Sequence, residues 1–170
     1  MLADSGYRVT LDGLGISGSR VGDLRTQVSR ALIGQPPDLT VVLIGANDAT
    51  HLTSLSDVRR RLEAAVRRLR EAGSAVVVGT CPDMGAARAL AQPLRSVVAW
   101  RGRQVAEASA DAVTDAGGTP VDLAARTGPV FRADPGTMSR DAFHPSADGY
   151  GLWAMALYPA VAEAASQHAR

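Results

Sequence analysis

Late in the chain, Asp141 and His144 stand three residues apart, with Pro145 directly after them and a helix pattern beginning beyond it. Those residue types at that spacing can make a proton-transfer pair. The carboxylate accepts from one imidazole nitrogen and fixes the tautomer, and the other nitrogen can then take a hydroxyl proton. A plainer reading, a capping Asp beside a solvated His, is the one normally favoured for such a pair taken alone. A second candidate is Asn47, which with Asp48 ends an apolar run in the sequence GAND. It can be a turn and cap residue, or it can present its side-chain amide to a cleft that the backbone amide of Gly18 also faces. Two neutral donors converging on one point suit an oxyanion developing on an acyl carbon.

Gly13, Gly15 and Gly18 spell GxGxxG, the pattern of a dinucleotide-binding turn when it lies between a strand and a helix. A nucleotide site also needs an acidic residue at the end of the next strand to hold the ribose. Asp38 precedes that strand and Asp48 lies beyond it in a turn, so the nucleotide reading is the weaker one. A tight turn exposing backbone amides at a helix start remains useful to an oxyanion. His51, in the loop after GAND, and His168, near the C-terminus, read as solvated side chains. Cys81 reads as a buried structural thiol. The arginines at 59, 60, 61, 67, 68 and 70 read as the wet face of a helix.

The elements that must hold these residues alternate strand and helix. Residues 7–12 (YRVTLD) are predicted as a strand leading into GLGISGSR. Val21, Leu24, Val28 and Leu32 then recur at helical spacing until Pro36 and Pro37. Residues 39–44 (LTVVLI) are continuously apolar, the mark of a parallel strand covered on both faces. Ser54 or Ser56 caps the next helix, whose stripe is Leu55, Val58, Leu62, Ala65, Val66 and Leu69, and Gly73 ends it. Residues 75–78 are a third strand, 93–116 an alanine-rich helix and 120–123 a short fourth strand. Residues 124–143, rich in Gly, Pro, Arg and Asp, are predicted as a long functional loop. Ser146 or Asp148 caps a last helix with Tyr150, Trp153, Leu157 and Val161 on one face. This alternation implies a three-layer α/β sandwich on a parallel sheet, whose ligand sits beyond the carboxyl ends of the strands. GLGISG, GAND, GTCPD and the stretch ending at His144 all lie there.

Composition sets the outer bounds. The 170 residues are 46% hydrophobic and 21% charged, with a net charge of +1, which suits one domain with one core and excludes disorder as the dominant state. All 18 basic residues are arginine and 17 acidic residues balance them, so no nucleic-acid partner is expected. No run approaches the roughly 18 apolar residues of a membrane span, and MLADSGYR lacks a basic segment followed by an apolar one. No transmembrane segment or leader is expected from the sequence, and the compartment stays open. A single cysteine allows neither an intrachain disulfide nor a cysteine cluster for zinc.

Taken in order, GISGSRVGDL, VVLIGAND and DAFHPSADGY resemble the SGNH or GDSL-type serine hydrolases, a family of esterases, lipases, acyl-hydrolases and carbohydrate deacetylases. The resemblance covers residues 7–165. It implies that the sandwich is the flavodoxin-like α/β/α fold of that family. It implies that His144 is the general base, Asp141 its orienting partner, and Gly18 and Asn47 the backbone and side-chain donors to the oxyanion. It also implies that no metal or organic cofactor is required, and that the substrate is a small-molecule, lipid or carbohydrate ester.

The family's first block, a GDS-type turn carrying the nucleophilic serine and a third oxyanion donor, has no counterpart here. Ser5 is flanked by Asp4 and Gly6, but it precedes the strand leading to GLGISG, whereas the family's serine follows an earlier strand. The nucleophile is therefore expected upstream of Met1. Residues 1–170 are expected to form a single, N-terminally incomplete domain without the first central strand, which the family places between 7–12 and 39–44. Residues 1–6 would be the tail of the family's first helix, and a segment from another chain or fragment could fill the empty slot. The chain alone is expected to hydrolyse little or nothing. Two other classes stay in view: a binding protein that keeps the oxyanion loops without a nucleophile, and a Rossmann-like nucleotide-binding domain resting on the glycine triple.

Overall fold

The computed structural model describes residues 1–168. Three parallel strands, β1 (Leu39–Leu43), β2 (Ala75–Gly79) and β3 (Thr119–Val121), lie side by side in sequence order. Leu39 stands opposite Ala75 and Leu43 opposite Gly79, while Val77 pairs with Thr119 and Gly79 with Val121. The helices are α1 (Leu24–Ala31), α2 (Ala46–Thr50), α3 (Leu55–Glu71), α4 (Leu94–Asp115), α5 (Leu123–Ala133) and α6 (Ala147–His168).

Side chains on β2 alternate between the two faces of the sheet, which divides the core in two. Val76 and Val78 join Leu24 and Val28 of α1, Leu62 and Val66 of α3, and Val105 and Val113 of α4. Val77 joins Val121, Leu123 and Leu157 on the opposite face, with Trp153 and Val161 of α6 packed against them. Helices therefore cover both faces, as the alternation of elements implies. Burying each of these Val and Leu side chains contributes about 1.5–3 kcal/mol. Helix α3 illustrates the local logic. The Ser54 hydroxyl accepts from Asp57 N at 3.1 Å and so satisfies an otherwise orphaned first-turn amide. Val58, Leu62, Val66 and Leu69 then bury one stripe, and Gly73, at φ +90°, turns the chain out.

Three expectations need correction. Residues 7–12 form no strand: Val9 and Leu11 are 50% and 88% exposed, and the backbone there is irregular. A parallel strand needs a neighbour for its amides and carbonyls, and among the described residues none stands beside this segment. Residues 39–44 contain β1, bonded to β2 alone as the absent neighbouring strand implies, but it is not covered on both faces: Val41 and Leu43 on its α6 side are each 45% exposed. Residues 124–143 are not one long loop, because their first half belongs to α5. Asp122 caps that helix through Ala125 N at 2.8 Å, and Leu123, Thr127 and Phe131 bury one face at four-residue spacing. That packed face outweighs the helix-breaking tendency of Gly128 and Pro129. The side chain of His168 lies outside the described residues.

Candidate active site

Asp141 organises the turn that carries His144. Its Oδ1 accepts from the Ser139 hydroxyl at 2.6 Å and from the amides of Phe143 and His144, each at 2.9 Å. Its Oδ2 is left to face His144 Nδ1 at 2.6 Å. An ionised carboxylate can only accept, so Nδ1 carries the proton and donates it, which fixes the imidazole with its Nε2 lone pair open. The strand-like bridge between Met138 and Pro145, and Ser146 N donating to Thr137 O at 2.9 Å, close the loop on itself. Helix α6 then starts at Ser146, whose hydroxyl accepts from Gly149 N at 3.2 Å. Gly149 is required there, because a Cβ would collide with the Thr137 carbonyl and with Pro145.

Ser139 first, then the His144 ring and the backbone amides, hold the Asp141 carboxyl well below the usual carboxylate range. A depressed pKa means that the grip of Asp141 on its turn is at full strength above the ordinary carboxylate value. That grip is lost only as pH falls through the lower folded value. The side-chain carboxyl ¹³C signal of Asp141 is accordingly expected to show no titration step near about pH 4, where an unperturbed Asp gives one. A step there would contradict the geometry.

The other two candidates meet His144 at one cavity of about 310 Å³, lined among others by Gly18, Asn47, Asp83, Phe143 and His144. Gly18 sits at φ +79°, which an L side chain rarely adopts. Asn47 Nδ2 donates to Ser19 O at 3.1 Å, which orients the amide and spends one of its two N–H groups. The turn before it needs Gly45, at φ +118°, where a Cβ would press to 3.2 Å on both Cys81 and Val105. The cavity thus joins three of the four loops expected at the carboxyl ends of strands. The fourth, GLGISG, reaches it through Ile16 and Gly18 without a strand in front.

Sequence reasoning expects residues 124–143 and the GTCPD loop at the ligand but misses that the far wall is helical over α5. Thr127, Gly128 and Phe131 of α5 and Tyr150 and Trp153 of α6 line it. The available signal was the Asp122 cap followed by Leu123, Thr127 and Phe131 at helical spacing. Asp83 was missed as well. It is 10% exposed, accepts from Gly85 N at 3.1 Å and pairs with Arg132 Nε of α5 at 2.5 Å, which pins the GTCPD loop to that wall.

The remaining candidates fall outside the cavity wall. Ser5 shares a hydrogen bond with Tyr158 Oη at 3.0 Å and does not line the cavity, so it is not placed beside His144. Among the described residues no serine hydroxyl is hydrogen-bonded to the His144 ring. His51 is exposed, with Nδ1 at 2.8 Å from Asn47 O. Cys81 is fully buried, and burial pushes its thiol up to about 12. It is expected to resist iodoacetamide at neutral pH in the folded protein and to react once denaturant is added. Ready labelling of the folded chain would refute that.

The GDSL-like lipase/acylhydrolase family model matches residues 1–152. The GDSL-like esterase Rv1075c of Mycobacterium tuberculosis is 43% identical over 165 residues, which are 96% of this chain and 52% of that protein. The chain thus spans about half the length of the curated relative it matches. Among solved structures, a lipase/acylhydrolase from Enterococcus faecalis superposes with a TM-score of 0.67 at 20% identity, over 85% of this chain and 71% of its own. An acetylxylan esterase from Geobacillus stearothermophilus gives 0.64 at 24% identity, over 84% and 67%. At those identities the structures speak for the fold, and the family model and the mycobacterial relative speak for descent. The chain belongs to the GDSL-like lipase/acylhydrolase family.

Proposed function

We propose that the protein carrying this chain hydrolyses carboxylic esters through a serine acyl-enzyme. In this reading His144 is the general base, Asp141 orients it, and Gly18 N and Asn47 Nδ2 are oxyanion donors. The observation that carries the reading is the 2.6 Å contact between His144 and Asp141 at a cavity that Gly18 and Asn47 also line. The serine Oγ adds to the ester carbonyl as His144 Nε2 takes its proton, and the carbonyl oxygen becomes the oxyanion. Collapse breaks the ester C–O bond, and the departing alcohol receives the proton from His144. Water then attacks the acyl-enzyme by the same route, releasing the acid and restoring the serine.

The serine in this reading comes from sequence outside these 170 residues. The open outer edge of β1 supports it. A further parallel strand there would find unpaired amides and carbonyls, and would cover Val41 and Leu43, each 45% exposed. Its carboxyl end would face the same way as that of β1, and so would deliver the turn that follows to the cavity.

The test uses the protein with its adjoining sequence, a fluorophosphonate probe and p-nitrophenyl acetate. Labelling of one serine outside residues 1–170, with turnover, is expected, and the 170 residues alone are expected to show neither. A protein that is neither labelled nor active with all its sequence present would instead be a binding protein.

A further inference from the structure

Asp48 is fully buried beside Asn47, and among the described residues no arginine forms an ion pair with it. Removing a carboxylate from water without a cation partner is costly, so what its oxygens hold is informative. Both face Val21 N, at 3.3 Å and 3.1 Å, and the Thr53 hydroxyl also acts on the carboxyl. Its neighbour Asn47 donates to Ser19 O at 3.1 Å. Two successive residues of one turn therefore grip the carbonyl and the amide on either side of Arg20, in the segment that begins with the Gly18 amide. A third hold comes from α1, where Gln27 Nε2 donates to Ser19 Oγ at 2.9 Å.

The consequence concerns direction. Asn47 Nδ2 has two hydrogens at a fixed angle, and the one bonded to Ser19 O determines where the free one points. The position of Ser19 O depends on the peptides that follow it, and these are anchored by Val21 N on the Asp48 carboxylate. We propose that Asp48 is the positioning residue of the oxyanion site: through Val21 it places Ser19 O, and through Ser19 O it aims the free N–H of Asn47. Donors preorganised in this way stabilise charge as it develops, because they need no reorganisation during the reaction. The inference rests on the esterase reading given above.

The experiment measures kcat and KM on p-nitrophenyl acetate, with thermal midpoints, for the protein with its adjoining sequence and for Asp48→Asn, Asp48→Ala, Asn47→Ala, the 47/48 double alanine variant and His144→Ala. Asp48→Asn keeps one oxygen for Val21 N and is expected to lose about 3–10-fold in kcat. Asp48→Ala is expected to lose about 10²-fold, with KM within about 2-fold in both. Acting through Asn47, Asp48→Ala should cost less than about 3-fold more in the Asn47→Ala background, a non-additivity that general loosening of the fold does not produce. If Asp48→Ala does not fold, Asp48→Asn alone and combined with Asn47→Ala decides by the same criteria. Additive losses, unchanged kcat, or a rise in KM matching the fall in kcat would overturn the proposal. If His144→Ala keeps full turnover, the esterase reading itself falls and this one with it. Should His144→Ala be inactive while the Asp48 variants behave as wild type, only the positioning role fails.

Discussion

Replacing His144 by alanine is expected to lower kcat on p-nitrophenyl acetate by at least about 10³-fold in the protein that carries its serine. The size of the effect follows from the general-base role proposed for the ring. Without it the serine hydroxyl has no base to take its proton, and the leaving alcohol has no acid to return one. The stability effect should be small, because the side chain is 61% exposed and the Asp141 carboxylate keeps its bonds to Ser139 and to two backbone amides. The measurement therefore pairs steady-state kinetics with thermal unfolding, and the expected result is a collapse of turnover at nearly constant midpoint. A variant that turns over within tenfold of wild type would remove His144 from the chemistry. A variant that loses both activity and fold would mean that the ring holds the loop together, a role its exposure argues against.

The parts of the fold that are legible in the sequence are those whose cause is local. The α3 stripe from Leu55 to Leu69, its Ser54 cap and its Gly73 stop can be read directly, because helical period, cap and stop all agree. The same holds for the valines of β2, whose continuous run reflects burial on both faces. Where tertiary context decides, the sequence misleads. Residues 7–12 have strand-like composition, yet a strand exists only beside a partner, and β1 bonds to β2 alone. Helix α5 hides behind Gly128 and Pro129, and what forms it is the burial of Leu123, Thr127 and Phe131, a contact with the rest of the molecule that residue types do not display.

The candidate site divides in the same way. Asn47 can be found because a polar residue stands out at the carboxyl end of an apolar strand, and Gly18, Asp141 and His144 because their sequence blocks resemble the family's in order; Gly18, Asn47 and His144 line one cavity, and Asp141 is bonded to His144. The wall opposite them comes from α5 and α6; the α6 face of Tyr150 and Trp153 is legible as a helix face, whereas Thr127 and Phe131 lie in a stretch that reads as loop. Asp83 escaped notice because its importance lies in a partner, Arg132, that is 49 residues away. The pairing of Asp48 with Val21, across 27 residues, is equally invisible until the two loops are seen together.

Asn47→Ala should produce the second large effect, a fall of about 10²–10³-fold in kcat, equivalent to roughly 3–4 kcal/mol of transition-state stabilisation. KM should barely move, since the donor acts on the oxyanion and little on the ground-state carbonyl. The same substitution removes the bond from Nδ2 to Ser19 O, whose net worth is only about 1 kcal/mol, so the fold should survive. This contrast between a large kinetic loss and a small thermodynamic one separates an oxyanion donor from a turn residue that merely ties two loops together. A turn residue would cost stability first, and kcat and KM would drift together as the cavity loosened. Asn47→Asp sharpens the distinction, because a carboxylate keeps the size and turn preference of the amide but carries no N–H and adds negative charge where the oxyanion forms. It should therefore be at least as slow as the alanine variant, and an aspartate variant clearly faster than alanine would show that Asn47 serves the turn and not the reaction.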